Sequence, residues 1–274
     1  MRLPMRWVTY FLDGTVYAGV LLDSGVVEAG EGGVGQMLRS GPLPADVPHG
    51  DPVSHSSLRL LPPVPDPGKI VCLGLNYRSH AEEAGLEPPV VPTFFAKWAN
   101  ALAAPGAEVA LPAYSDKVDY EAEVAFVIGR RCRDVAEADA LDVVAGYTLM
   151  NDLSARDYQF KTPQWGPGKV FDGAAPCGPA LVTPDEAGPP DAIEISLTLN
   201  DETMQSASTA DLIHSIPAVV AFLSKLMTLE PGDLISTGTP AGVGSVRTPR
   251  IWLKPGDELV VESPQLGRLE TRLA

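Results

Sequence analysis

Glu121 and Glu123 stand two residues apart in the run Val118-Asp119-Tyr120-Glu121-Ala122-Glu123-Val124-Ala125-Phe126-Val127-Ile128. Side chains on a strand alternate faces, so both carboxylates point the same way. Like charges at that separation repel, and apolar neighbours make them costly to bury. A divalent cation is one arrangement that removes both costs; a solvated strand face carrying two exposed glutamates is the other. A third acid, Asp152, lies in Met150-Asn151-Asp152-Leu153-Ser154-Ala155-Arg156-Asp157, where a strand passes into a helix. It reads either as a cap residue, with Ser154 also able to cap, or as a third ligand at the end of a strand. Three carboxylates, with water in the other positions, suit a hard octahedral ion such as Mg²⁺ or Mn²⁺. No His/Cys cluster suggests zinc.

His80 and Glu83, in Gly74-Leu75-Asn76-Tyr77-Arg78-Ser79-His80-Ala81-Glu82-Glu83-Ala84-Gly85, are spaced i,i+3 and share one face of a short helix. A carboxylate beside an imidazole fixes its tautomer and raises its basicity, which makes a general base; a structural histidine is the plainer alternative. Gln159 and Lys169 flank Thr162-Pro163-Gln164-Trp165-Gly166-Pro167-Gly168, a loop able to carry a lysine over a pocket, where it would offset an anionic substrate. The run Ser236-Thr237-Gly238-Thr239-Pro240-Ala241-Gly242-Val243-Gly244 has the glycines to let backbone N–H groups meet a carboxylate. It lacks the Gly-Lys-Ser/Thr of a phosphate loop. His49 and His55 lie in a proline-rich segment and carry no assigned role.

The elements that must position these residues are mostly strands. The chain has 274 residues, 45% hydrophobic and 20% charged, enough apolar content for a large core. Gly and Pro make up about a fifth of it, 26 and 27 residues, which indicates many turns and excludes a helical bundle. Trp7–Leu12, Val16–Leu22 and Val26–Ala29, separated by Asp13-Gly14 and Asp23-Ser24-Gly25, form a β-meander. Eight prolines between Pro42 and Pro67 mark a linker wrapped on a surface. The division is a small N-terminal β domain with its linker over residues 1–65 and a catalytic domain over 66–274. In the latter the pattern predicts strands at Lys69–Leu75, Val118–Ile128, Tyr147–Met150, Ile193–Leu199, Leu234–Thr237 and Leu259–Glu262. Helices are expected over Asn76–Ala84 and Ser215–Leu226, and between a capping box at Asp134-Val135-Ala136-Glu137 and a stop at Gly146. Strands and helices do not alternate regularly, so the fold class is α+β, β-dominated, a mixed roll or barrel.

The net charge of −15 gives no electrostatic reason to bind nucleic acid or an anionic membrane surface. No apolar run approaches the roughly 18 residues that span a bilayer. The stretch from Met1 is too quickly interrupted for a signal peptide, and Cys72, Cys132 and Cys177 form neither a disulfide framework nor a zinc ribbon. The location expected is cytoplasmic.

Taken in order, the motifs around His80, Glu121, Asp152, Lys169 and Thr239 resemble the fumarylacetoacetate hydrolase family from about Lys69 to Leu273. The resemblance implies a mixed β-sandwich roll, commonly a homodimer, often with a smaller N-terminal β domain. It implies Mg²⁺ or Mn²⁺ on Glu121, Glu123 and Asp152, and a lid helix that carries His80 and Glu83. It makes His80, Glu83, Lys169 and Gln159 catalytic, and Asn76, Arg78, Arg156 and Thr239 substrate-binding. The implied substrate is a small 2-oxo acid, and the first expectation is a metal-dependent C–C hydrolase of an acylpyruvate or fumarylpyruvate. A decarboxylase or isomerase of an oxaloacetate-like acid is the alternative. The chain departs from the family pattern at His214, where an aromatic is common, and at Trp98, where proline is usual.

Overall fold

Asp13 and Gly14 take left-handed φ values of 48° and 87°, the twist a two-residue hairpin needs. They join β1 (Arg6–Leu12) to β2 (Thr15–Leu22), and a second turn leads into β3 (Gly25–Glu31), so the meander forms as its turn residues require. The structure, a computed structural model, describes residues 5–274; the first four residues of the N-terminal stretch considered above lie outside it. After α1 (Gly33–Ser40) and the proline-rich segment come β4 (Arg59–Leu61), β5 (Ile70–Gly74), α2 (Arg78–Ala84), β6 (Thr93–Lys97), β7 (Leu102–Ala103) and β8 (Glu108–Val109). Then follow β9 (Val118–Asp119), β10 (Ala122–Ile128), β11 (Val144–Asn151), β12 (Ser154–Ala155), α3 (Arg156–Gln159), β13 (Ala175–Val182) and α4 (Pro184–Ala187). The last elements are β14 (Glu194–Leu199), β15 (Glu202–Ser208), α5 (Ile216–Leu226), β16 (Leu234–Ser236), β17 (Glu258–Ser263) and β18 (Gly267–Leu273).

The large sheet runs β3-β2-β1-β13-β11-β10-β16-β5-β6, with β4 on β1 and β7 on β13. A second sheet, β15-β14-β17-β18-β8, packs against its centre. Phe126, Leu149, Leu197, Val261 and Leu269 from the two layers belong to one buried core. The result is the β-dominated α+β roll expected from the strand count. β1 pairs with β13 through Arg6↔Val182 and Trp7↔Leu181, and Trp7 is buried in that same core, so the sheet runs on across the proline-rich segment.

Four local expectations are corrected. Val118–Ile128 is two strands, because side chains take the backbone donors at the break. Tyr120 N donates to Asp119 Oδ1 (2.9 Å), Glu121 N to Asn151 Oδ1 (3.1 Å) and Ala122 N to Gln205 Oε1 (2.9 Å). The capping box at Asp134 does not form. Asp134 has a φ of 50° and its N–H donates to Ser224 O in α5, and the segment becomes a 3₁₀ helix, Glu137–Val143. Gly146 is interior to β11, where a Cβ would lie 2.4 Å from Val182 O; the glycine permits close strand approach and ends no helix. Ser154 does not cap α3 either, since its Oγ donates to Asp152 O (2.8 Å).

Candidate active site

The register of β10 on β11 sets Ala122 opposite Asn151, so the break before β10 and the end of β11 meet at one rim. Asp152 N donates to Glu121 O (2.8 Å), fixing the turn after β11 against that break. Carboxylate oxygens of Glu121, Glu123 and Asp152 thereby converge within 4.8 Å of one another, all buried. Isolated, three such charges would be prohibitive.

Cations surround two of the three. Lys169 Nζ lies 2.8 Å from both Glu121 Oε2 and Asp152 Oδ2, and Lys97 Nζ lies 2.7 Å from Asp152 Oδ1. Arg156 reaches Glu121 Oε1 at 2.5 Å and Asp119 Oδ2 at 2.8 Å. Burial alone would raise Glu121, but Lys169 and Arg156 outweigh it and hold its carboxyl well below the usual range. Burial would likewise depress Lys169, and Asp152 and Glu121 reverse the sign, so its ammonium stays charged. Glu123 differs. Burial, then Asp152 and Glu121, push it well above the usual carboxylate range. Its partners are the Ser236 hydroxyl and Gly238 N (3.3 Å), neither of them a cation. An ion held jointly by Glu121, Glu123 and Asp152 would supply the positive charge that Glu123 lacks, and an all-oxygen donor set suits a hard divalent metal. The residues present therefore fit the ion.

A cavity of about 160 Å³ opens beside the acids. Its polar wall is His80, Glu121, Arg156, Gln159, Lys169 and Thr239; Phe95, Phe160 and Trp165 supply apolar wall. Lys169 is 2% exposed, far from the surface residue its type suggests. Its loop can enter because Gly168 has no Cβ; one there would lie 2.5 Å from Ala155 O. Gln159 Oε1 accepts from Arg156 Nη1 (3.0 Å), and Thr239 Oγ1 accepts from Gln205 Nε2 (2.8 Å).

His80 and Ala84 of α2 line the cavity, and the helix ends at Gly85, whose φ is 66°. His80 Nδ1 stands 3.5 Å from Glu83 Oε2, so the i,i+3 pair forms as its spacing requires. Gly242 N donates to both Glu83 oxygens (2.9 and 3.0 Å), tying the helix to the glycine-rich run.

Two expected substrate-binding residues do not line the cavity. Asn76 is buried with its amide turned to backbone: Nδ2 donates to His214 O and Thr237 O, and Oδ1 accepts from His214 N. Arg78 is exposed and donates to Leu212 O (2.8 Å). Trp98 is 62% exposed and His214 contacts Pro89 O (3.0 Å), so neither departure from the family pattern borders the cavity. Sequence reasoning missed Lys97 and Ser236. Lys97 is fully buried; besides its ion pair with Asp152, its ammonium donates to Lys169 O and to Ala174 O (3.0 Å). Its signal was a lone lysine ending the apolar run Phe94-Phe95-Ala96, on the same strand face as Phe95.

A family model described as fumarylacetoacetate (FAA) hydrolase C-terminal matches residues 69–274. The "Fumarylacetoacetate hydrolase domain-containing protein 2 homolog" of Dictyostelium discoideum is 46% identical over 215 residues, 74% of this chain and 70% of its own. The "Oxaloacetate tautomerase FAHD2A, mitochondrial" of Homo sapiens is 42% identical over 214 residues, 77% of this chain and 68% of its own. Among solved structures, a fumarylacetoacetate hydrolase from Exiguobacterium antarcticum superposes with a TM-score of 0.87 at 31% identity, covering 98% of this chain and 99% of that one. A 2-hydroxyhepta-2,4-diene-1,7-dioate isomerase from Mycobacterium marinum superposes at 0.79 with 32% identity, covering 98% of each.

Proposed function

The chain belongs to the fumarylacetoacetate hydrolase family, and from that membership we propose that it interconverts the keto and enol forms of a small 2-oxo dicarboxylic acid of the oxaloacetate type. The observation that carries this reading is the cavity. At about 160 Å³ it is smaller than the roughly 300–1,000 Å³ of sites for larger ligands, and its polar wall is rich in cations beside a triad of acids. Relatives at about two-fifths identity named as oxaloacetate tautomerases support it.

In this reading Lys169 and Arg156 attract the substrate's anionic end, and Gln159 and Thr239 orient it. His80, its tautomer set by Glu83, takes a proton from C3. The C–H electron pair becomes the C2–C3 double bond, and the 2-oxygen carries the negative charge until it is protonated. Lys169, held charged by its acids, faces that developing charge. A divalent ion on Glu121, Glu123 and Asp152 would supply Lewis acidity toward the 2-oxo group. α2 excludes water, which favours proton transfer over hydrolysis.

C–C hydrolysis of an acylpyruvate or fumarylpyruvate is the second reading. The His80–Glu83 contact favours it, because that pair could deprotonate an attacking water. The two readings separate in one assay. The protein is given enol oxaloacetate, acetylpyruvate and fumarylpyruvate with Mg²⁺ or Mn²⁺, while the enol band and released pyruvate are followed. Loss of the enol band no faster than in buffer, together with pyruvate release from either acylpyruvate, would replace the tautomerase with the hydrolase. A cytoplasmic location belongs to the same proposal, supported by three cysteines that form no disulfide. Among the described residues no helix is long and apolar enough to cross a membrane.

A further inference from the structure

α2 has only seven residues and no N-terminal cap of its own, since Tyr77 at the N-cap position offers no side-chain hydrogen bond. A helix that short is marginal without outside support. Besides the tie from Gly242 N to Glu83 near its C-terminal end, the support comes from one distant segment. Asp211 Oδ2 accepts from the backbone N–H of Ser79 (3.0 Å) and from the Ser79 hydroxyl, 132 residues away in sequence. Leu212 O accepts from Arg78 Nη1 (2.8 Å), and Ile213 N donates to Asn76 O (2.7 Å). His214 grips both sides of the helix. Its backbone N–H and C=O pair with the Asn76 amide (2.9 and 3.1 Å) ahead of α2, and its ring Nε2 lies 3.0 Å from Pro89 O in the loop that leaves α2. Entry strand, first turn and exit loop are thus all held by residues 211–214. The segment lines no part of the cavity; beyond a local bond to Thr209 O its hydrogen bonds go to the stretch around α2 that carries His80 and Glu83, while Leu212 packs into the core.

We infer that Asp211 and His214 are positioning residues that set the pose of α2, and through it the reach of His80 into the cavity. The inference rests on the proton-transfer role given to His80 in the proposed function. Asp211 acts as a cap supplied from outside the helix. His214 acts as a latch on the exit loop, in the tautomer that carries its proton on Nε2. Substrate anchoring by Lys169 and Arg156 does not pass through this segment, so loosening it lowers turnover and leaves affinity nearly unchanged.

The test uses the full chain with Mn²⁺ and two readouts, hydrogen exchange over residues 78–86 and steady-state tautomerase kinetics. Asp211→Ala is expected to speed exchange in α2 by about fivefold or more, the usual consequence of losing a cap, and to lower kcat by a similar factor with KM within about twofold. Asp211→Asn keeps an acceptor and should recover most of both. His214→Ala should act in the same direction on the amides of residues 84–86, and His214→Gln, whose amide reaches where Nε2 does, should rescue it. If Asp211→Ala does not fold, Ser79→Ala removes the hydroxyl half of the same contact from the other side. Parental exchange in α2 for both Asp211→Ala and Ser79→Ala would overturn the inference, as would a lowered melting temperature with parental kcat, or an Asp211→Asn variant no better than Asp211→Ala. The exchange readout needs no turnover. Faster exchange in Asp211→Ala alongside a parent inactive on enol oxaloacetate would uphold the clamp and refute only the functional reading.

Discussion

Glu123 is the residue on which the metal argument turns, because its two neighbouring acids have lysine or arginine against them and it has a hydroxyl and an amide. Glu123→Gln should keep the fold and weaken Mn²⁺ binding by at least the roughly 10–100-fold that follows loss of even an outer supporting partner. Calorimetry returning the parental affinity would remove the site. Lys97 works at the same centre from beneath. Replacing it with methionine leaves the buried Asp152 Oδ1 without its ammonium, and removing one partner of a buried pair costs about 3–5 kcal/mol. Urea unfolding should register a loss toward the lower end of that range, since Lys169 still pairs with Asp152; a change under about 1 kcal/mol would mean that Lys97 does not hold the acid in place. His80 and Glu83 should behave as a unit. Each alanine variant is expected to lower kcat by about 10²–10⁴ and the double variant by little more, whereas additive losses would separate their roles.

At the scale of elements, the end of β5 is shaped around one ring. A Cβ on Gly74 would lie 2.0 Å from the Trp165 indole, which also packs edge-on against Phe95 in the cavity wall. Gly74→Ala should therefore displace Trp165, shift its fluorescence and lower activity about tenfold or more, because small misplacements in a site are costly. An unshifted emission spectrum with parental activity would show that the ring has room to move. The first hairpin and α5 were legible beforehand for local reasons: Asp13-Gly14 takes left-handed φ, and the helical spacing of Ser215–Leu226 forms a helix, which Ser215 caps by accepting from Ala218 N. The break between β9 and β10 was not legible. It depends on Asn151 and Gln205, far along the chain, taking backbone donors that the alternation of Val118–Ile128 assigns to a ladder. The capping box at Asp134 failed for the same kind of reason, the Asp134 N–H being taken by Ser224 O of α5.

At the scale of the molecule, Val90 in the loop before β6, Phe94 on β6 and Trp98 just after it stand 94%, 39% and 62% exposed. An apolar surface of this kind is a natural contact for a second copy, and we propose the homodimer that the family resemblance suggested. Light scattering at micromolar concentration should give twice the 29.0 kDa chain mass; a particle of the single-chain mass would refute it. The charge of −15 is distributed away from the centre of chemistry. Lys97, Arg156 and Lys169, three of the chain's 20 basic residues, are buried together against its acids.

From the chain by itself, helix geometry converts the i,i+3 spacing of His80 and Glu83 into a shared face, and a joint site for Glu121 and Glu123 was one of the two readings their spacing allowed; Asp152 and Lys169 were joined to them by the family resemblance. The β-dominated class followed from turn residues and alternation, which are also local. Tertiary structure decided the rest. It buried Lys97 under Asp152, turned Asn76 and Arg78 away from the cavity, and set residues 211–214 around α2. Each of these is a meeting of residues dozens of positions or more apart, settled by which strands pair and how loops close over them, and no local spacing carries that information.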